Sequence, residues 1–244
     1  MSRSGLSSIS KWAYRAQHAA FLVNAMAMQQ TARMLARRPR PPISAAQLRT
    51  LHQRLRDLHA RDLANVEAGY YPRSLLFDLP ASTYARALPR LAKDLPNMAG
   101  RQRRGEYKDL AIANDPAYPP YYRRTFHWQT DGYLSDHSAA VYDLGVELLF
   151  HGTADVMRRQ ALVPIAEARL PMGMRVLDVG SGTGRFLRQL CTAFPSAIAT
   201  GVDLSPHYVR FARGVAPQAT FVAGNGEALP FPDHSFDVVT SIYL

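Results

Sequence analysis

The sequence predicts an α/β protein in which a mostly helical N-terminal region leads into a doubly wound parallel sheet. Three observations carry this. Val176-Leu177-Asp178-Val179 is a short apolar run that enters Gly180-Ser181-Gly182-Thr183-Gly184. A buried parallel strand reads as such a run, and glycines at its end let the backbone turn sharply and approach a ligand. Three further apolar segments follow at strand length, each closed by polar or turn residues. Upstream, apolar residues recur at helical spacing instead.

The elements follow in order. Residues 9–37 read as a helix that ends at Arg38-Pro39-Arg40-Pro41-Pro42, where proline cannot continue it. Ser44-Ala45-Ala46-Gln47 is a capping box. Leu48, Leu51, Leu55, Leu58 and Val66 then recur at three- and four-residue steps, and Gly69 closes that amphipathic helix. Tyr70-Tyr71-Pro72 is a turn. A short helix is expected between Ser82 and Lys93 despite Pro89, followed by a polar, basic stretch over 96–108 and a Pro/Tyr-rich loop from Asp115 to Tyr122. Two helices, Ser138–Phe150 and Thr153–Glu167, lead to Gly173 and the first strand. The second strand is Ile198–Asp203, with Ser205-Pro206 opening the next helix as N-cap and first-turn proline. The third is Ala219–Ala223 and the fourth Phe236–Tyr243. The divisions are a basic helical arm and Pro/Arg linker (1–42), a helical region (43–160) and the sheet (161–244).

Spacing decides which nucleotide the glycine loop suits. A dinucleotide fingerprint, G-x-G-x-x-G, would need its third glycine at Arg185, but it falls at Gly184. No P-loop lysine follows. Asp203 stands at the tip of the second strand, placed to accept hydrogen bonds from ribose hydroxyls. The pattern through Asp178, Gly180, Gly182 and Gly184 resembles motif I of class I S-adenosylmethionine-dependent methyltransferases. Gly224-Asn225-Gly226-Glu227-Ala228-Leu229-Pro230-Phe231, followed by Ser235-Phe236-Asp237-Val238-Val239, resembles the adenine-recognition segment of the type 11 subfamily. That group includes quinone-ring and sterol methyltransferases. Its members usually carry Asp where Asn225 stands, and an Asn oxygen can accept from the same amino group.

The resemblance covers residues 174–244 and implies a Rossmann-like sheet, of which the first four strands fall within the chain. It implies S-adenosyl-L-methionine as cofactor. Gly180, Ser181, Gly182 and Gly184 would approach its methionine portion and ribose, and Asp178 would lie near the amino-acid end. Asp203 would take the ribose hydroxyls, Leu204 would pack on the adenine, and Asn225 with Gly226 would meet the adenine edge. No general base is named, and no metal is expected. The acceptor is unidentified and expected to be a small-molecule or lipid-like compound. A class I sheet has seven strands, so the chain ending at Leu244 reads as C-terminally truncated and, as given, a poor enzyme. A non-catalytic cofactor-binding fragment and a nucleic-acid-binding protein remain as alternatives.

Charge separates the regions. The net charge is +10, yet residues 1–56 hold ten Lys/Arg and no Asp or Glu, so the whole excess lies there. Such an arm reads as a packed or solvated helix, then as a membrane-surface contact, then as a targeting segment. It lacks the aromatic interleaving of single-strand binders, which makes nucleic acid an unlikely partner. The apolar stretch Ala19–Met28, interrupted by Asn24, is too short to span a bilayer. A single cysteine, Cys191, excludes an internal disulfide and suits a cytoplasmic protein, if one peripheral to a membrane. Two constellations read as decoys. Tyr118-Pro119-Pro120-Tyr121 has the look of an amino-methyltransferase motif but follows no strand. His127, Asp131 and His137 match no common metal spacing. The aromatic segment around His127 and Tyr133 is expected to pack on the sheet or to form part of a lid over the cofactor.

Overall fold

The computed structural model describes residues 6–36, 43–105, 118–123 and 131–243. Its element order is α1 (Ser8–Ala36), α2 (Ala45–Ala68), α3 (Ala81–Arg104), α4 (Asp136–Leu149), α5 (Ala154–Gln160), α6 (Leu162–Glu167), β1 (Arg175–Val179), α7 (Arg185–Ala193), β2 (Ile198–Asp203), α8 (Pro206–Val215), β3 (Thr220–Ala223) and β4 (Val238–Thr240). Short 3-10 turns lie at Arg73–Phe77 and Pro120–Arg123.

All four strands are parallel, in the order β3-β2-β1-β4. The chain runs outward from β1 through β2 to β3, then returns to the other side of β1 for β4. That reversal is a topological switch point, and it opens a crevice beyond the carboxyl ends of β1 and β4. Register places Asp178 opposite Gly201 on one side and Thr240 on the other.

Local chemistry explains the helix ends. Ser44 Oγ accepts from the Gln47 N–H while the Gln47 side chain accepts from the Ser44 N–H. Gly69 closes α2 in the left-handed region, at φ 84°. Ser205 Oγ accepts from the Tyr208 N–H with Pro206 in the first turn of α8.

Four expectations need correction. The helix expected over Ser82–Lys93 runs from Ala81 to Arg104, through Pro89 and Pro96. Its packing against α1 and α4 outweighs the two amide hydrogen bonds the prolines forgo. The helix expected over Thr153–Glu167 is two short helices meeting at Ala161, with Pro164 in the first turn of the second. The fourth strand spans three residues rather than eight, because the chain turns away until Tyr243 adopts a φ of 65°. The stripe on α2 meets a core only at its C-terminal end: Leu48 and Leu51 are exposed, Val66 packs against two apolar clusters, and the residues α2 buries are Asp62, Leu63 and Asn65.

The main apolar core lies between the sheet and α6, α7 and α8, around Val176, Leu187, Leu190, Val209, Ala212 and Phe221. Tyr71 and Leu75 enter it from the N-terminal region, so one core joins both. A second core joins α1, α3 and α4 through Ala25, Ala87, Val141 and Leu144.

Candidate functional site

The glycine loop is folded on the last residues of β2. The Gly180 and Ser181 N–H groups both donate to the Val202 carbonyl, at 2.8 and 2.9 Å, and the Gly184 N–H donates to the Ser181 carbonyl. Asp203 then joins two loops. One carboxylate oxygen accepts from the Gly182 N–H at 2.8 Å and the other from the Ser205 N–H at 2.8 Å. A carboxylate offers about four lone-pair positions, so two stay open after these bonds. Burial raises the Asp203 pKa, and the two backbone donors oppose that shift.

The glycines divide by role. A Cβ on Gly184 would stand 2.8 Å from the Phe221 ring and 3.0 Å from Ala212, and φ is +76° there, so this glycine is required by packing. Gly182, at φ +53°, has only the Gly180 carbonyl at 4.0 Å, which leaves an open approach to its backbone. Ser181 turns inward, with its hydroxyl buried over Gly201 and without a hydrogen-bond partner.

Asp178 is buried at the end of β1, where Thr240 Oγ1 donates to it at 2.8 Å. Burial pushes its pKa up to about 7. Thr240 opposes the shift and the Asp203 charge adds to it. Leu204 is half-buried beside Asp203. Asn225 Oδ1 accepts from the Glu227 N–H at 3.0 Å, so the oxygen expected to accept from an adenine amino group is already engaged in shaping its own turn. A Cβ on Gly226 would meet Val179 Cγ1 at 2.8 Å, which brings that turn against the end of β1. The structure therefore gathers Asp178, Gly180, Gly182, Asp203, Leu204, Asn225 and Gly226 around the crevice.

The helical region supplies Tyr133, which the sequence singled out, together with groups that it did not. Thr183 Oγ1, inside the glycine loop, donates to Asp143 of α4 at 2.7 Å. Arg185, the first residue of α7, donates to Asp155 at 2.6 and 2.9 Å and to Asp78 at 3.2 Å. Ser205 Oγ donates to the Tyr133 carbonyl, and Ser138 Oγ and Tyr208 Oη bond at 2.9 Å. Tyr133 has ring contacts with Tyr122, Tyr142 and Tyr208 at centroid distances of 5.6–6.0 Å, and Tyr122 stacks on Tyr118. Burial raises the pKa of Tyr122, Tyr133 and Tyr142, and the Asp203 charge reinforces the shift in each, which places this wall beside β2. The available signal was the density of tyrosines between 118 and 142, together with Asp143 and Glu147 one turn apart on an otherwise apolar helix.

Tyr118 to Tyr121 sit in a turn held by Arg123, whose Nε donates to the Tyr118 carbonyl. His137 Nε2 lies 2.6 Å from Asp94, Asp131 accepts from Ser135 Oγ, and His127 lies outside the described residues. Among the described residues no group of three or more His, Cys, Asp or Glu could hold a metal ion. Cys191 is partly buried with a raised pKa, which makes it a poor nucleophile.

Residues 176–244 match the family described as "Methyltransferase domain". That match covers 69 of the chain's 244 residues and takes in all but the first residue of the four-stranded parallel sheet. Curated relatives agree. A demethylmenaquinone methyltransferase of Roseiflexus castenholzii is 42% identical over 79 residues, which cover 32% of this chain and 33% of that one. Another from Roseiflexus sp. is 34% identical over 126 residues, 50% of this chain and 47% of that one. A malonyl-[acyl-carrier protein] O-methyltransferase of Methylococcus capsulatus is 40% identical over 74 residues, 29% and 27% of the two chains. This chain thus spans less than half the length of each. The second match covers half of the chain, so the likeness reaches back beyond Val176 into the helical region.

Proposed function

We propose that the protein binds S-adenosyl-L-methionine at the carboxyl ends of β1 and β2 and transfers its methyl group to a small-molecule or lipid-like acceptor. The observation that carries this is Asp203, which ties the glycine loop to the start of α8 and keeps two lone-pair positions for a ribose diol. Leu204 packs on the adenine, and Asn225 with Gly226 meets its edge. Gly182 gives the cofactor its closest approach to backbone, and Asp178 stands toward the cationic amino-acid end. Ser181 contributes through the loop backbone, since its hydroxyl faces Gly201. When bound, the cofactor supplies an electrophilic methyl group, so the protein's task is alignment and exclusion of water. The tyrosine wall of Tyr122, Tyr133 and Tyr142 excludes water on the β2 side. The lipid-like class of acceptor follows the printed names of the relatives, a demethylmenaquinone and a malonyl-[acyl-carrier protein]. Contact of residues 1–42 with a membrane surface suits such an acceptor.

Calorimetric titration with S-adenosylmethionine tests the reading. Two charge-assisted hydrogen bonds of about 1.5–3 kcal/mol each mean that Asp203→Ala weakens binding by at least about tenfold. Unchanged affinity in that variant removes Asp203 from the site, and no binding by the parent protein ends the proposal.

A further inference from the structure

The side of α1 turned away from the body carries an uncharged apolar stripe. Ile9, Trp12, Val23, Met26 and Met34 are all exposed, Trp12 at 72% and Val23 at 67%. With about 100° of turn per residue, Ile9, Trp12, Ala16, Ala19, Val23 and Met26 fall within roughly a third of the helix circumference. The stripe from Ile9 to Met26 is about 26 Å long at 1.5 Å per residue. The opposite side is fixed to the protein. Tyr14 Oη donates to Asp62 at 2.6 Å, His18 Nδ1 lies 3.1 Å from the Gly152 carbonyl, and Ala25 is fully buried. The helix is therefore held in place with its apolar stripe left to solvent.

The geometry points to this stripe as a docking surface for anionic lipid, on which α1 lies flat at the headgroup boundary. Charge selects that occupant. From the N-terminus to Arg56 the sequence has ten basic residues and no acidic one, and exposed Arg15 borders the stripe. A second copy of the chain would bring another acid-free cationic segment against the first, which repels, whereas an anionic leaflet attracts both. Trp and Met on the apolar side with Arg at its margin suit the headgroup boundary. Among the described residues no helix is long and apolar enough to cross a membrane, so the contact is peripheral. The inference deepens the lipid-like acceptor reading but does not need methyl transfer to hold.

Vesicle sedimentation of the full chain tests it. Wild type sediments with phosphatidylglycerol-containing vesicles and about tenfold less with phosphatidylcholine alone, and added salt weakens the first. Trp12→Glu/Val23→Glu lowers anionic-vesicle binding by about tenfold or more, whereas Met172→Glu, at an 89% exposed apolar site elsewhere, leaves it unchanged. An unaltered melting temperature and unaltered S-adenosylmethionine binding in the double variant show that fold and cofactor site are intact. Lipids brominated in their chains give a second measurement on the parent protein: they quench Trp12 emission, and Trp12→Phe removes the quenched component. Equal sedimentation of the double variant overturns the proposal, as does equal binding to neutral vesicles. A dimer that the double variant abolishes, with no vesicle binding, assigns the stripe to a second copy instead.

Discussion

Val176 and Val202 in the sheet and Leu187 on α7 are sealed by apolar neighbours, whereas the buried Asp62 and Asp155 of the helical region are sealed by arginines. Asp62 is fully buried and accepts from Tyr14, Tyr71 and both Arg159 nitrogens, all at 2.6–3.0 Å. Asp155 pairs with Arg158 and Arg185, and Asp78 with Arg185 and Arg188. Apolar packing tolerates many partners of similar volume. A buried ion pair tolerates few, since losing one member strands the other in a low dielectric. The sheet therefore takes its stability from transfer out of water, and the helical region is placed on it both by the apolar contacts of Tyr71 and Leu75 and by the arginines of α7 matched to Asp78 and Asp155.

Breaking one pair is the severest test. Arg159→Met strands Asp62 and is expected to lower unfolding free energy by about 3–5 kcal/mol in urea titrations near neutral pH. Arg159 and the two tyrosine hydroxyls hold the Asp62 pKa below its usual value despite burial. Stability from such a depressed carboxylate is present above its unfolded pKa and lost as pH falls through the folded one. With Arg159 gone, burial raises the Asp62 pKa in the variant, so the penalty of Arg159→Met should shrink as pH falls through the mildly acidic range toward about pH 4 and below it. A constant penalty down to acid pH means that Arg159 acts through packing alone.

Leu187→Ala is the matching change in the sheet core, with an expected cost of about 2–5 kcal/mol. Leu187 is fully buried and carries no charge, so this cost should not track pH. Urea titrations at acid and neutral pH separate the two variants, and parallel pH profiles would erase the distinction.

Asp178 gives the smallest effect, and it belongs to the sheet. Its folded pKa of about 7 lies above the unfolded value, so the native state binds the extra proton between roughly pH 4 and pH 7. Stability falls as pH rises through that window, and the full cost stands above it. Asp178→Asn leaves Thr240 only a neutral acceptor, so it should recover part of that linkage of about 1.4 kcal/mol per pKa unit, about 1 kcal/mol, and melt roughly 2–4 °C above wild type at pH 8.5. At pH 4 the two should coincide. A gain at acid pH instead would show that burial of charge at Asp178 is not the cause.

These two chemistries also explain what could be read in advance. Strand β2 falls at its expected residues, Ile198–Asp203, because a parallel strand declares itself as a contiguous run. The N-caps at Ser44 and Ser205 and the cap at Gly69 are local signals and were equally plain. The grouping of Asp178, Gly182 and Asp203 followed from strand ends and spacing. What escaped was non-local. Asp62 pairs with Arg159 across 97 positions and Asp78 with Arg188 across 110, and no periodicity reports such a partnership. Asp143 holding Thr183 belongs to the same class. The exposed leucines of α2 and the prolines within α3 misled for a related reason. Their fate depends on which surfaces meet, and the helices meet through groups that hydrophobic spacing does not count.

The separations within these ion pairs also set a timetable. A ribosome adds about 5–20 residues per second, so Asp62 is made roughly 5–20 s before Arg159. Asp78 waits a similar time for Arg185, 107 positions on. During that interval the first helices have left the ribosome with acids whose arginines do not yet exist, and only the mutual contacts of α1, α2 and α3 can hold them together. These ion pairs close when α7 is synthesised, because Arg185 and Arg188 sit on the helix that begins at the glycine loop, and Ser205 and Tyr208 add their bonds to the helical region later still. The order of synthesis thus brings the locking of the N-terminal helices shortly before the glycine loop meets Val202 and Asp203, both late in the chain.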